Sequence, residues 1–461
     1  MAGFVPLHFS FAKESGEDVV VIINSVKQCV ALIADFSSIN ICQKIAGNLV
    51  RGNICSFAIP TLQNVILMKS SDGNLLDTCA LIDLGISVHS LLPNIYADDI
   101  CAIFLTSGST GLAKAVPFTH RKLCVMGFTY YKLFELEPGD KLLSYLPFGW
   151  LGCYPIGTLT RGATVVTYTD IRKIKSVQEI NSMTVTVLNA DKCVSALLLS
   201  SAIFDLVKQK DIICNSFPLR VVCTVGLPID SICSKILEQK AKKFAVGYGC
   251  TEMGLICTIT VSSSDEYESF AVGKPIPGTE VKILDDNGQI VPLGTSGELY
   301  VRMRDRFLGY LNAKEKSDIC SDQTGWYKTD DIGVMKLDGS VVVTGRKSDM
   351  MIISGELVSP SYLEGILKEH EAVANAIVLP IHNLETFQQA CAAIVLQKGK
   401  SATEEELKSF IREQRGKYAE SFLATRYVPK MVLFFDSFPA THSGKIDRKA
   451  IAEAMRKRTE S

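Results

Sequence analysis

FLTSGSTGLAKAV, residues Phe104–Val116, starts as the end of the apolar run Cys101–Leu105 and passes at once into small and hydroxylated side chains before reaching a lysine. Glycines at Gly108 and Gly111 allow a tight main-chain curl with its N–H groups pointing inward. Thr106, Ser107, Ser109 and Thr110 add hydroxyls, and Lys114 brings a positive charge. A strand feeding such a loop is a cradle for phosphate. It is not the G-x-x-x-x-G-K-[ST] loop, because the two glycines are too close and Ala115 follows the lysine. Taken alone, a Ser/Thr/Gly-rich loop is more often a solvated connection. The remainder of the chain decides between the two.

Outward from the loop, the flanks alternate between strand and helix patterns. Upstream, the β-branched run VVVII within Asp18–Asn24 predicts a buried strand and VALIADF, ending before Ser37, a second. SINICQKIAGNL then has helical spacing of Ile39, Ile41, Ile45 and Leu49. This alternation suggests βαβ units and a mainly parallel sheet. Downstream, Thr119 is placed to cap a helix starting near His120. RVVCTVGLPID, from Arg220, predicts another strand. In AVGYGCTEMG a strand leads to a turn allowed by Gly247 and Gly249, then to Thr251 and the carboxylate of Glu252, with Tyr248 offering a flat face to a base. By itself, TE after a strand is more often a helix N-terminus. VGKPIPGTEVKILDDNGQIVPLGTSGELYVR predicts antiparallel strands separated by turns at Asp286–Gly288 and Leu293–Gly297. The last part is a small αβ module: a helix through Leu363–Leu367 capped by Ser359, strands ANAIVLPI and CAAIVLQ, a helix opened by a Thr403/Glu406 capping box, and the strand MVLFFDSF.

With 461 residues the chain exceeds a single compact core, so two or more domains are expected. The 48 basic and 49 acidic residues nearly cancel, which gives no reason to propose nucleic acid or an acidic membrane as partner. Leu142–Thr160 is the longest uncharged stretch, but Pro147, Pro155 and several glycines interrupt it, so it reads as buried strand and turn, not as a membrane span. The 15 cysteines lack C-x-x-C pairs and metal-ligand spacing and sit in apolar contexts, as reduced thiols of a cytoplasmic protein do. No cleavable signal is visible in Met1–Ser10, and the C-terminal RTES is not a peroxisomal tripeptide.

Several motifs stand in a fixed order: TSGSTGLAK at Thr106–Lys114, GYGCTE at Gly247–Glu252, TDD at Thr329–Asp331, GR at Gly345–Arg346 and SGK at Ser443–Lys445. In that order the chain resembles the adenylate-forming superfamily, which includes acyl- and aryl-CoA synthetases, luciferases and the adenylation domains of peptide synthetases. The resemblance covers nearly the whole chain. It implies an α/β fold: a large N-terminal domain of βαβ-built sheets plus a β-rich subdomain (1–347), and a small mobile C-terminal α+β domain (348–461) joined by a hinge at Ser348. It also implies site residues. The 106–111 loop and Lys114 meet phosphate, Gly226 and Pro228 the adenine face, and Tyr248 with Gly247 and Gly249 the base. Thr251 lies near the α-phosphate and Glu252 holds Mg²⁺. Asp331 and Arg346 contact ribose, the Gly355 loop approaches the CoA thiol, and Lys445 is the catalytic lysine.

The activity implied by the resemblance is ATP-dependent activation of a carboxylic acid, fatty or aromatic, through an acyl-adenylate and then thioester formation with CoA. An adenylating enzyme with another acceptor and a catalytically impaired nucleotide- or acyl-binding relative are the alternatives. Departures from the family pattern are Ala113 for proline, Trp150 for the acyl-pocket histidine, Val225 and Leu227 for smaller residues, Asp330 for glycine, and Ser348 for Lys or Asp at the hinge. AGFVPLHFSF, from Ala2, resembles a strand and turn well inside the first subdomain of such enzymes, so the family's opening elements are expected to be missing and apolar surface to be left uncovered.

Overall fold

The structure, a computed structural model, describes residues 7, 20, 23–24, 26, 29, 31–35, 42–43, 45, 56, 58–68, 94–106, 114–144, 151–167, 193–199, 219–225, 229, 231–311, 313–347, 351–353, 356–358, 360–383, 387–413, 428–439 and 446–459. β1 (Ala31–Asp35) and β2 (Asn64–Met68) pair in parallel, with Cys42, Gln43 and Ile45 helical between them, as the alternation predicts. The strand expected over Asp18–Asn24 is corrected: Val20, Ile23 and Asn24 are helical. Ile23 is buried there, so packing of the apolar side overrides the β preference of the branched residues.

β3 (Ile100–Leu105) and β4 (Ala115–Thr119) form an antiparallel hairpin in which Leu105 faces Ala115. Phe104 and Phe118 are fully buried and meet edge to face at 5.2 Å. Burying two such rings contributes on the order of 3–6 kcal/mol before entropy is counted, so the hairpin is a firm base for the loop it carries. Thr119 caps α1 (His120–Leu133) as the sequence predicts, its hydroxyl accepting the Lys122 N–H at 3.2 Å.

Next along the chain are β5 (Lys141–Ser144), α2 (Ile156–Arg161), β6 (Thr164–Val166), β7 (Ser195–Leu199), β8 (Leu219–Val225), α3 (Ser231–Lys240) and β9 (Ala241–Cys250). The strand-and-turn reading of Leu142–Thr160 holds only at its start. Leu151–Cys153 is a 3₁₀ turn and α2 comes after it, entered past Pro155 and closed by Gly162 at φ 73°, a pairing of proline before and glycine after that ends a helix sharply. Strands β6, β5, β7, β8 and β9 lie side by side in parallel. Leu143, Leu197, Val221, Cys223 and Phe244 on them are wholly buried, which accounts for their near-continuous apolar runs.

The same sheet continues antiparallel through β10 (Gly254–Val261), β11 (Ala271–Pro275), β12 (Thr279–Leu284), β13 (Ser296–Met303), β14 (Tyr327–Met335) and β15 (Val341–Arg346), with α4 (Lys314–Cys320) between β13 and β14. Among the described residues the order is β12-β13-β14-β15-β11-β10-β9-β8-β7-β5-β6, eleven strands. One half is therefore parallel and the other antiparallel, and β9 belongs to both. The β3–β4 hairpin packs its phenylalanines on the antiparallel half, against Ile256, Leu299, Val301 and Val341.

A smaller unit completes the chain: β16 (Met351–Ile353), β17 (Glu356–Val358), α5 (Pro360–Glu369), β18 (Val373–Asn383), β19 (Phe387–Leu396), α6 (Glu404–Glu413), β20 (Met431–Phe434) and α7 (Arg448–Thr459). Its core joins Leu363 and Leu367 of α5 to Ala376, Val378, Ala392, Ile394 and Leu407. The capping box is present: the Thr403 N–H donates to Glu406 at 2.7 Å and the Glu406 N–H to the Thr403 hydroxyl at 3.2 Å. Ser359 lies outside the described residues. Cys29, Cys42, Cys101, Cys124, Cys193, Cys223, Cys250, Cys257, Cys320 and Cys391 are free thiols. No helix among the described residues is long and apolar enough to cross a membrane.

Candidate active site

The phosphate-cradle loop springs from the mouth of the β3–β4 hairpin. Two hydrogen bonds close that mouth: the Thr106 N–H donates to the Lys114 carbonyl at 3.0 Å and the Lys114 N–H to Thr106 Oγ1 at 3.1 Å. Thr106 therefore uses a hydroxyl lone pair to pinch the neck. Ser107, Gly108, Ser109, Thr110 and Gly111 lie outside the described residues. The ammonium of Lys114 sits over the ring of Tyr310, 4.6 Å from its centroid, a cation–π contact.

Facing this hairpin is the turn Thr251–Met253 between β9 and β10. Gly247 and Gly249 do not make the turn; both lie inside β9, which corrects the expectation. Their role is close approach. A Cβ on Gly249 would stand 2.0 Å from the Gly254 carbonyl oxygen, and one on Gly247 would press Val225 and Leu255 at 3.0 and 3.1 Å. The TE pair thus lies in a strand-to-strand turn, not at a helix N-terminus. Thr251 is half-buried at the turn and Glu252 is buried, 8% exposed.

Glu252 is held from two sides. Tyr310 Oη donates to its Oε1 at 2.5 Å, and the ammonium of Lys122, on α1, donates to its backbone carbonyl at 2.7 Å. Lys122 is itself buried and lies over the Phe118 ring at 4.8 Å. Burial pulls its pKa down to about 8, against the upward pull of Cys250, Asp305 and Glu252. Burial, reinforced by the Glu252 charge, pushes the Tyr310 phenol up, so it remains a proton donor at any physiological pH. No cluster of three or more His, Cys, Asp or Glu surrounds Glu252 among the described residues. One buried carboxylate is the donor set of a magnesium ion that takes its remaining ligands from substrate phosphates and water, so the residues fit that ion.

A second cluster joins β9 to β14 and β15 of the same sheet. Tyr248 Oη donates to Asp331 Oδ2 at 2.5 Å, and Arg346 Nε lies 3.3 Å from Asp331 Oδ1. Asp331 and Arg346 are cross-strand partners on β14 and β15. The Asp331 N–H donates to Thr329 Oγ1 at 3.1 Å, whose hydroxyl donates to the Leu299 carbonyl at 2.9 Å. Burial and the Asp331 charge push the Tyr248 phenol well up, so it too stays protonated. A buried carboxylate gripped by a tyrosine and an arginine has both oxygens aimed and is a ready acceptor for paired hydroxyls. Burial and then the charge of Glu252 push the Cys250 thiol up, with Asp331 adding to the effect, which makes it inert.

Asp330 stands at φ 63°, in the left-handed region. The backbone at this point explains why glycine serves the position; aspartate is one of the few side chains that tolerate it. Gly226, Pro228, Ser348, Gly355 and Lys445 lie outside the described residues, as does Trp150. Of the sequence-derived site residues, Thr106, Lys114, Gly247, Tyr248, Gly249, Thr251, Glu252, Asp331 and Arg346 are described. The structure links Lys114 to Glu252 through Tyr310, and Tyr248 to Arg346 through Asp331. Sequence reasoning missed Lys122 and the part played by Tyr310. Lys122 had a signal: it falls four residues before Met126 on the buried stripe of α1, where a lysine needs a partner.

Residues 13–311 match the family described as AMP-binding enzyme, and residues 362–445 match the AMP-binding enzyme C-terminal domain. A long-chain-fatty-acid–CoA ligase of Escherichia coli O6:H1 is 26% identical over 457 residues, covering 96% of this chain and 78% of the ligase. A 4-coumarate–CoA ligase-like protein of Arabidopsis thaliana is 28% identical over 366 residues, covering 77% of this chain and 61% of the relative. Among solved structures, ATP-bound MatB from Rhodopseudomonas palustris superposes with a TM-score of 0.79 at 20% identity, over 98% of this chain and 84% of that one.

Proposed function

This chain belongs to the AMP-binding enzyme family, and on that premise we propose that it activates a carboxylic acid with ATP, through an acyl-adenylate, and passes the acyl group to the thiol of CoA. The observation that carries this reading is the pairing of two clusters across one short turn. Tyr248, bonded to Asp331, and Glu252, bonded to Tyr310, are four residues apart on either side of Cys250. One end suits a ribose and base, the other a phosphate chain.

In the first half-reaction a carboxylate oxygen of the acid attacks the α-phosphorus of ATP and the bond to pyrophosphate breaks. In the second, the thiol sulfur attacks the acyl carbon of the adenylate and AMP leaves. Both first partners are anionic, so positive groups must offset their repulsion in the in-line transition state. Lys114 and the 106–111 loop take the phosphates, Thr251 the α-phosphate, and Lys445 donates to oxygens of the reacting centre. Magnesium, when bound, neutralises phosphate charge, and Glu252 is the residue that would hold it. Asp331 and Arg346 hold the ribose, while Gly226 and Pro228 border the adenine.

Residues 348–461 act as a mobile domain in this scheme. Rotation at Ser348 withdraws Lys445 after the first step and brings the Gly355 loop to the thiol; a Ser348→Pro variant that ran both half-reactions at the normal rate would contradict it. Relatives named for long-chain fatty acids and for 4-coumarate support a fatty or aromatic acid as substrate. A cytoplasmic setting goes with this reading.

The test is pyrophosphate release from Mg-ATP with short, medium, long and aromatic carboxylates, with and without CoA. Release that depends on one acid class, yields a CoA thioester, and falls about a hundredfold or more in Lys445→Ala is the expected result. Pyrophosphate release without any thioester would point to another acceptor. No release and no ATP binding by folded protein would overturn the reading.

A further inference from the structure

Tyr310 has no part in the chemistry proposed above, yet it touches both charged groups of the phosphate end. The face of its ring carries the Lys114 ammonium at 4.6 Å, and its hydroxyl donates to Glu252 Oε1 at 2.5 Å. The residue is itself fixed on every side. Its N–H donates to Ser317 Oγ at 2.8 Å, and the N–H of the next residue, Leu311, donates to the carbonyl of Ala115 at 3.0 Å, beside Lys114 on β4. Phe307 packs edge-on against the ring at 4.9 Å, and only 6% of the residue is exposed. Behind Glu252, Lys122 holds the backbone carbonyl at 2.7 Å, so the side-chain carboxylate is aimed chiefly by the tyrosine.

We infer that Tyr310 is a positioning residue that fixes the phosphate-loop lysine and the metal-holding carboxylate relative to one another, through the face of its ring and its hydroxyl respectively. The inference rests on the activation chemistry proposed above. Two parts of the phosphate grip reach the site on different chain segments, one on the β3–β4 hairpin and one on the β9–β10 turn. Tyr310, arriving after β13, ties them together. Apart from Lys114 on its face, the ring lies in an apolar cluster that a purely packing role would also use; the hydroxyl on a buried carboxylate is what a packing role does not need.

The experiment is calorimetric titration of the full chain with ATP, with and without Mg²⁺, and with adenosine as control. In Tyr310→Phe the ring stays under Lys114 but the hydrogen bond to Glu252 is gone. The factor by which Mg²⁺ strengthens ATP binding is expected to fall about tenfold, with adenosine and Mg²⁺-free ATP affinities unchanged. Tyr310→Leu, which also removes the ring, is expected to weaken Mg²⁺-free ATP binding by about threefold as well. In a Glu252→Gln background, Tyr310→Phe is expected to add nothing. Undiminished Mg²⁺ enhancement in Tyr310→Phe overturns the inference and leaves the activation reading standing. Loss of adenosine binding in that variant also overturns it, by making the residue structural. A wild-type protein whose ATP binding Mg²⁺ does not strengthen removes the inference and the functional reading together.

Discussion

The ribose end and the phosphate end of the candidate site are built differently. At the ribose end the charges answer one another: Asp331 is gripped by Arg346 from the neighbouring strand and by Tyr248 from β9, across the antiparallel half of the same sheet. At the phosphate end, two lysines and one carboxylate come from a hairpin mouth, a helix and a turn, and the contacts that hold them run through a tyrosine and a backbone carbonyl. A neutralised strand network recognises a neutral group with fixed hydroxyls. A looser gathering of cations around one carboxylate is suited to a ligand that brings several negative charges with it. On the function proposed above, specificity for the nucleoside and grip on the phosphates rest on separate clusters.

The largest expected effect tests the phosphate end through stability. The folded pKa of Lys122, about 8, lies below its ordinary value of 10.5. Below pH 8 both folded and unfolded chains carry the proton and the cost of burying the charge is fully present. Between pH 8 and 10.5 the unfolded chain binds the proton that the folded one has shed, so stability rises with pH, by up to about 3 kcal/mol. Urea denaturation of wild type and Lys122→Met across pH 7–10 should show this rise in the wild type alone; parallel curves would mean that the ammonium is solvated. Gly249→Ala comes next. It forces a Cβ against the Gly254 carbonyl and should cost about 2 kcal/mol of stability. Because the turn joins both ends, adenosine and Mg-ATP affinities should fall together, and an effect on only one would break the comparison.

A smaller effect sharpens it from the other side. Asp331→Asn leaves one acceptor oxygen where Tyr248 and Arg346 use two, and adenosine binding should weaken by about tenfold while the Mg²⁺ enhancement of ATP binding stays at its wild-type value. That is the converse of the pattern expected for Tyr310→Phe. Smallest is Asp330→Gly: it relieves a left-handed backbone at φ 63° and should raise stability by roughly 0.5 kcal/mol. Adenosine affinity should not move; a gain there would show that the extra carboxylate opposes the ligand.

Local chemistry was legible where one residue acts on its own neighbourhood. Thr119 and the Thr403/Glu406 box could be read because a cap is satisfied within three residues. The parallel run and the antiparallel run were each visible as patterns, but their union on β9 was not, since strand order depends on contacts distant in sequence. The VVVII segment misled because burial in a helix and burial in a strand look alike over so few residues. Gly247 and Gly249 were assigned to a turn because flexibility is the commoner use of glycine; here the backbone of β10 comes too close for a side chain at Gly249. The two contacts of Tyr310 arrive from segments about 60 and 200 residues away in the chain, and no spacing rule records such a meeting.

In the proposed function one nucleotide spans both clusters. A crystal structure of the protein with a non-hydrolysable ATP analogue and Mg²⁺ tests it most directly. The expected result is ribose hydroxyls on Asp331, phosphates at Lys114 and the 106–111 loop, and the ion on Glu252. A nucleotide bound with its ribose away from Asp331, or with its phosphates pointing away from Glu252, would contradict it.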